Sequence, residues 1–226
     1  GQPEVLIVDE LLLGLDSLFY ALQIDPEFER LLVRMEASGA DAVDETVGER
    51  REIARLLSAS YFANSRLVDD LSLYVRATGE RIAVDNVSSG TVTRPDESFE
   101  PWRSIAREPV ALRLLATDGK IVAIHTINRF EDQALRGAFV ARVDETFAKR
   151  VMSILAGGAA DEVFLVNDLG EPVIASGEIP GGVGARLEQL PVVTGETVVW
   201  NDDDAIAFAR RIDRGRVTVA KTVPAE

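Results

Sequence analysis

Two strand–turn–strand patterns of the same plan constrain this chain more than any other feature. LYVRATGERIAVD at 73–85 and VFLVNDLGEPVIAS at 163–176 each run from an apolar strand through a Gly-Glu turn to an apolar return strand. Their spacing of roughly ninety residues is too long for a solenoid repeat and suits two related modules of small-domain size. The second copy closes a longer signal at 135–177. There the β-favouring run LRGAFVARV precedes Asp144, and Phe147, Val151, Ile154 and Leu155 follow at helical spacing. Asp144 reads as an N-cap, and Gly157 and Gly158 supply the positive φ that ends a helix.

Upstream of residue 71 the period is helical. Val8, Leu11, Leu15, Leu18 and Leu22 repeat every three or four positions, the a/d seam of a long helix, with Gly14 a tolerated cost of ~1 kcal/mol relative to Ala. That seam predicts weak homodimerisation through the N-terminal helix. Asp25-Pro26-Glu27 restarts a second helix, with Asp as cap and Pro at the first helical position. Thr46 and Glu49 have the spacing of a capping box for a third helix. From Leu71 the period becomes that of strands, and 86–98 reads as a loop. The run 110–130 is a hairpin about Thr117-Asp118-Gly119, and with 135–143 it completes a sheet of about five antiparallel strands. The expected fold class is α+β: an N-terminal helical region at 1–70, a first module at 71–156 and a second at 157–226.

Composition narrows the function. A formal net charge of −14, from 24 basic against 38 acidic residues with no basic block, argues against nucleic acid, whose phosphates draw affinity from clustered Lys and Arg. The absence of cysteine removes thiolate metal sites, disulfides and thiol nucleophiles. No apolar run approaches the ~20 residues that cross a bilayer. His125 stands alone in a strand with no nucleophile pattern around it and reads as a packing or surface residue, so no catalytic residue is assigned. IPGGVGARL at 179–187 lacks the GK[ST] ending of a phosphate loop and reads as a flexible connection. The NDDD run at 201–204 lacks the EF-hand Gly and Glu, so neither a metal nor a cofactor is expected.

Three stretches resemble the double Cache family, the extracytoplasmic sensor domains of bacterial and archaeal histidine kinases, chemoreceptors and diguanylate cyclases. They are LVDDLSLYVRATGERIAVD, PWRSIAREPVALRLLATDGKIVAIHTINRF, and LRGAFVARVDETFAKRV followed by VFLVNDLGEPVIAS. The resemblance implies long N-terminal helices followed by two PAS-like modules with antiparallel sheets, membrane-distal at 71–156 and membrane-proximal at 157–226. It also implies a periplasmic or extracellular sensor in a parent protein anchored by flanking transmembrane helices. A small organic ligand is expected in the first module, between its sheet and the FEPWRS turn, and none in the second, which lacks an equivalent Trp-Arg turn. Amino-acid-binding relatives carry Arg, one residue, Trp, then Tyr in the turn before the sheet; Glu100, Trp102 and Arg103 hold those places here. Trp102 as apolar wall and Arg103 as polar contact, with the later acid Asp144, are the expected ligand-binding residues. A guanidinium fork in that turn makes an anionic organic molecule the expected ligand. The alternatives are a dimerisation module that binds no ligand and a cytosolic enzyme of unrecognised type.

Overall fold

The computed structural model describes residues 2–39, 44–94, 109–158, 161–189, 197–202, 205–212 and 217–224. Three helices lead: α1 (Gln2–Gln23), α2 (Pro26–Ser38) and α3 (Val47–Ala63). The α1 seam is wholly inside the chain, since Val8, Leu11, Leu15, Leu18 and Leu22 are at most 5% exposed. Packing within the chain thus covers the apolar side chains from which the dimer contact was expected. Asp25 caps α2, its Oδ1 accepting from the Glu27 N–H at 2.8 Å. Thr46 precedes α3 but makes no side-chain cap hydrogen bond, so the expected capping box is not formed. Thr46 is buried, and the Glu49 carboxylate turns instead to Arg34 of α2 at 3.7 Å.

The first sheet has the order β3-β2-β1-β6-β5-β4. Its strands are β1 (Val68–Val75), β2 (Glu80–Asp85), β3 (Thr91–Thr93), β4 (Arg113–Thr117), β5 (Lys120–Asn128) and β6 (Leu135–Val143). It is thus one strand wider than the sequence suggests, because β3 forms within the expected loop by pairing Thr91, Val92 and Thr93 with Ala83, Ile82 and Arg81. Asp118 (φ 51°) and Gly119 (φ 72°) make the two-residue turn between β4 and β5.

The helix α4 (Glu145–Ala156) ends at Gly157, whose φ is 61°. Beyond it, β7 (Glu162–Val166), β8 (Pro172–Ala175), β9 (Thr197–Asp202), β10 (Ala205–Ile212) and β11 (Val217–Pro224) form a second antiparallel sheet, order β8-β7-β11-β10-β9. Asn167 builds the β7–β8 turn by accepting from the Leu169 and Glu171 amides at 2.9 and 3.0 Å. The stretch expected to be a flexible connection is instead α5 (Gly181–Glu188). Its Val183 and Leu187, one helical turn apart, join Phe164, Val166, Ala207, Ala209 and Ala220 in one buried cluster.

By packing, the chain divides into two compact units. One comprises Gly14–Leu112 and Val122–Asp144, the other Gly1–Leu13, Arg113–Ile121 and Glu145–Glu226. In the latter, Arg113 forms a bidentate pair with Asp168 at 2.9 and 2.8 Å, and the Asn167 amide donates to the Leu114 carbonyl at 2.9 Å. A buried guanidinium is tolerable only with such a planar, doubly hydrogen-bonded partner.

Candidate functional site

Strand parity divides the first sheet into two faces of different chemistry. On one, the rows Val84–Leu71–Ala141–Ala123 and Ile82–Leu73–Phe139–His125 lie under the helices. There Phe28 of α2 packs on Phe139 with ring centroids 5.1 Å apart, and Arg50 of α3 pairs with Glu80 at 2.9 and 3.0 Å. On the other face the register aligns three rows. They are Asp85–Asp70–Arg142–Val122, Ala83–Ser72–Val140–Ile124 and Arg81–Tyr74–Ala138–Thr126.

This second face concentrates charge on β2, β1 and β6 and apolar surface on β5. Asp70 holds Arg142 twice, its Oδ2 pairing with the guanidinium at 2.7 Å and its Oδ1 accepting from the backbone N–H at 3.1 Å. Arg81 donates from Nε to the Ser72 hydroxyl at 3.1 Å, and that hydroxyl donates in turn to the Val140 carbonyl at 3.2 Å. Burial pulls the Arg81 guanidinium below its ordinary value, with Asp70 opposing that fall and Arg142 adding to it. Among the described residues, the buried Nε of Arg142 has no hydrogen-bond partner. Asp85 is spent on structure: the amides of Val87 and Ser88 donate to its Oδ1 at 2.8 and 2.6 Å and hold its carboxyl below the usual range. Two guanidiniums thus converge on a surface where Asp70 is already engaged. Such a surface can take the acidic group of a small molecule, with Ala83 and Val140 alongside for an apolar portion.

Of the residues expected to bind ligand, Trp102 and Arg103 lie outside the described residues. Asp144 stands one position past β6, immediately before α4, with its N–H donating to the Leu67 carbonyl at 2.8 Å. Its charge is felt by the Tyr61 hydroxyl of α3, whose pKa burial raises first, followed by the fields of Asp69, Asp85, Asp144 and Asp70. Arg81, Ser72 and Arg142 were not singled out by sequence. The available signal was their alternation with Ile82, Leu71, Leu73 and Ala141, which sets them on the opposite face of the strands. Among the described residues no group of three or more His, Cys, Asp or Glu could hold a metal ion, and no helix is long and apolar enough to cross a membrane.

No protein-family model matches the chain, and no curated protein sequence matches it. Solved structures do. A domain of a sensory box/GGDEF family protein from Vibrio parahaemolyticus aligns over 100% of this chain and 92% of its own, with TM-score 0.55 and 11% identity. The extracellular domain of the histidine kinase vpHK1S-Z8 aligns over 99% and 92%, with TM-score 0.52 and 11% identity. That of the histidine kinase rpHK1S-Z16 aligns over 76% of both chains, with TM-score 0.51 and 16% identity. At such identities the likeness is one of fold.

Proposed function

From the premise that this chain has a Cache-like, PAS-related sensor fold, we propose that it is the ligand-sensing input domain of a transmembrane signalling receptor. It lies on the periplasmic or extracellular side and is non-catalytic. The ligand is a small anionic organic molecule bound in the first module, on the face of β1, β2 and β6 that carries Arg81, Ser72 and Arg142. Trp102 and Arg103, in the segment between β3 and β4, complete the site as wall and third cation, and Asp144 borders it. The observation that supports this reading best is the partly buried pair of guanidiniums on the sheet face turned away from the helices. In a chain of net charge −14 such a concentration of cationic donors suits recognition of an acid.

A thermal-shift screen of organic acids is the direct test. A ligand present at a hundred times its dissociation constant adds ~2.7 kcal/mol of stability. Losing one charge-assisted hydrogen bond costs about 1.5–3 kcal/mol, so Arg81→Gln and Arg142→Gln should each weaken binding by about tenfold or more. Arg103→Ala and Trp102→Ala should weaken it too. Stabilising acids whose affinity all four substitutions leave unchanged would overturn the placement of the site.

A second reading, an interaction module, draws on α1, which leaves Leu6, Leu13 and Tyr20 exposed at intervals of seven residues. A weak homodimer would use that stripe rather than the buried seam. Sedimentation of wild type against Leu13→Asp with Tyr20→Asp decides it, since a monomer at all concentrations removes this reading.

A further inference from the structure

His125, the chain's single histidine, lies on β5 on the helix-covered face. Its ring stacks on Phe19 of α1, with centroids 5.7 Å apart and planes 18° from parallel, and lies 6.3 Å from the ring of Phe139 on β6. Nδ1 meets the backbone carbonyl oxygen of Ala111, and Nε2 meets the side-chain Oε1 of Gln23, the last residue of α1. A backbone carbonyl can only accept, so Nδ1 carries a proton in both charge states of the ring. That choice leaves Nε2 a bare acceptor when the ring is neutral. A bare Nε2 repels the oxygen it faces and calls for the N–H end of the same amide; a protonated Nε2 calls for Oε1. One half-turn of the Gln23 amide exchanges the two ends.

We propose that His125 and Gln23 form a proton-operated latch between α1 and β5, in which the ring accepts from the Gln23 amide when neutral and donates to its oxygen when charged. Among the described residues, the charged group whose field reaches the ring is Asp16, also on α1. The other ring neighbours among the described residues are uncharged: Phe19 of α1, Phe139 of β6, which Phe28 of α2 backs, and the Ala111 carbonyl. Burial lowers the imidazole pKa below 6.5, and the bond to Ala111 and the Asp16 carboxylate oppose it in part. The unfolded chain therefore takes up the proton first as pH falls through 6.5. The folded state loses stability from there down to the lower midpoint of the buried ring. Acid thus weakens the hold of α1 on the sheet.

Because there is one histidine, imidazole NMR of the wild-type chain between about pH 5 and 8 gives a single curve that needs no assignment by mutation. The expected result is an Nδ1–H tautomer in the neutral ring and a midpoint below that of free histidine. Gln23→Glu, which sets a carboxylate against Nε2, should raise the midpoint by about one unit or more, whereas Gln23→Leu should lower it further. Urea unfolding should show the wild type losing stability from neutral pH to about pH 5. His125→Phe, which keeps the stacking, should lose less over the same range. An Nε2–H tautomer would overturn the latch, as would a midpoint that is the same in wild type, Gln23→Glu and Gln23→Leu. If His125→Phe does not fold, the NMR curves of the wild type and the Gln23 variants still decide.

Discussion

At Gly137 the chain of β1 passes so close that a Cβ would collide with the Tyr74 carbonyl oxygen, which is backbone and has little room to yield. Gly137→Ala should therefore destabilise the protein by about 1–3 kcal/mol despite the general preference for Ala over Gly in a strand, read as a lower urea midpoint. An unchanged midpoint would mean that β1 and β6 can separate locally at no cost. Asp25 offers a milder case, since removing its cap bond to Glu27 by Asp25→Ala should cost about 1 kcal/mol. The two positions differ in legibility for a physical reason. A cap is local, so Asp25-Pro26 announces itself in sequence, whereas the demand on Gly137 comes from a strand more than sixty residues away. The candidate site has the same difficulty. In ERIAVD the alternation separates Arg81 from Ile82, yet an outward-facing arginine on a solvated sheet reads identically to one lining a binding face.

Among the elements, α1 carries the sharpest expectation. Leu11 and Leu18 are 0% and 2% exposed, so Leu11→Asp or Leu18→Asp would bury a carboxylate without a partner, at a cost of about 3–5 kcal/mol. Each variant should lose cooperative unfolding, or unfold at much lower urea, rather than convert a dimer into a folded monomer. A variant folded like wild type would show that the seam is not part of the core. The helices were legible because their apolar period runs for several turns. By contrast, α5 was hidden by three glycines in GGVGARLEQ, which lower helix propensity and leave only Val183 and Leu187 to mark its buried face. Tertiary burial against the sheet outweighs that propensity. The three-residue β3 was hidden by its Ser, Thr and Gly neighbours, and it exists because β2 has an edge to be paired.

For the whole molecule, a net charge of −14 makes self-repulsion a global term. Raising ionic strength from about 0.01 M to 0.15 M shortens the screening length from about 30 Å to 8 Å. The unfolding temperature should rise, because the buried pairs Arg50–Glu80 and Arg113–Asp168 are screened far less than the surface acids repelling one another. A fall instead would mean that exposed ion pairs such as Arg55–Glu27 dominate. The two-sheet plan was legible in the repeated strand–turn–strand pattern, but the pairing of β1 with β6 was not, because strand order is not written in periodicity. That pairing also sets a schedule for biosynthesis. Ser72 on β1 bonds to Val140 on β6 across 68 positions of chain. At a synthesis rate of about 5–20 residues per second, β1 waits roughly 3–14 s for its central neighbour to be made. During that interval the nascent chain carries three helices whose apolar faces have no finished sheet to cover, so this is when it most needs a holding chaperone.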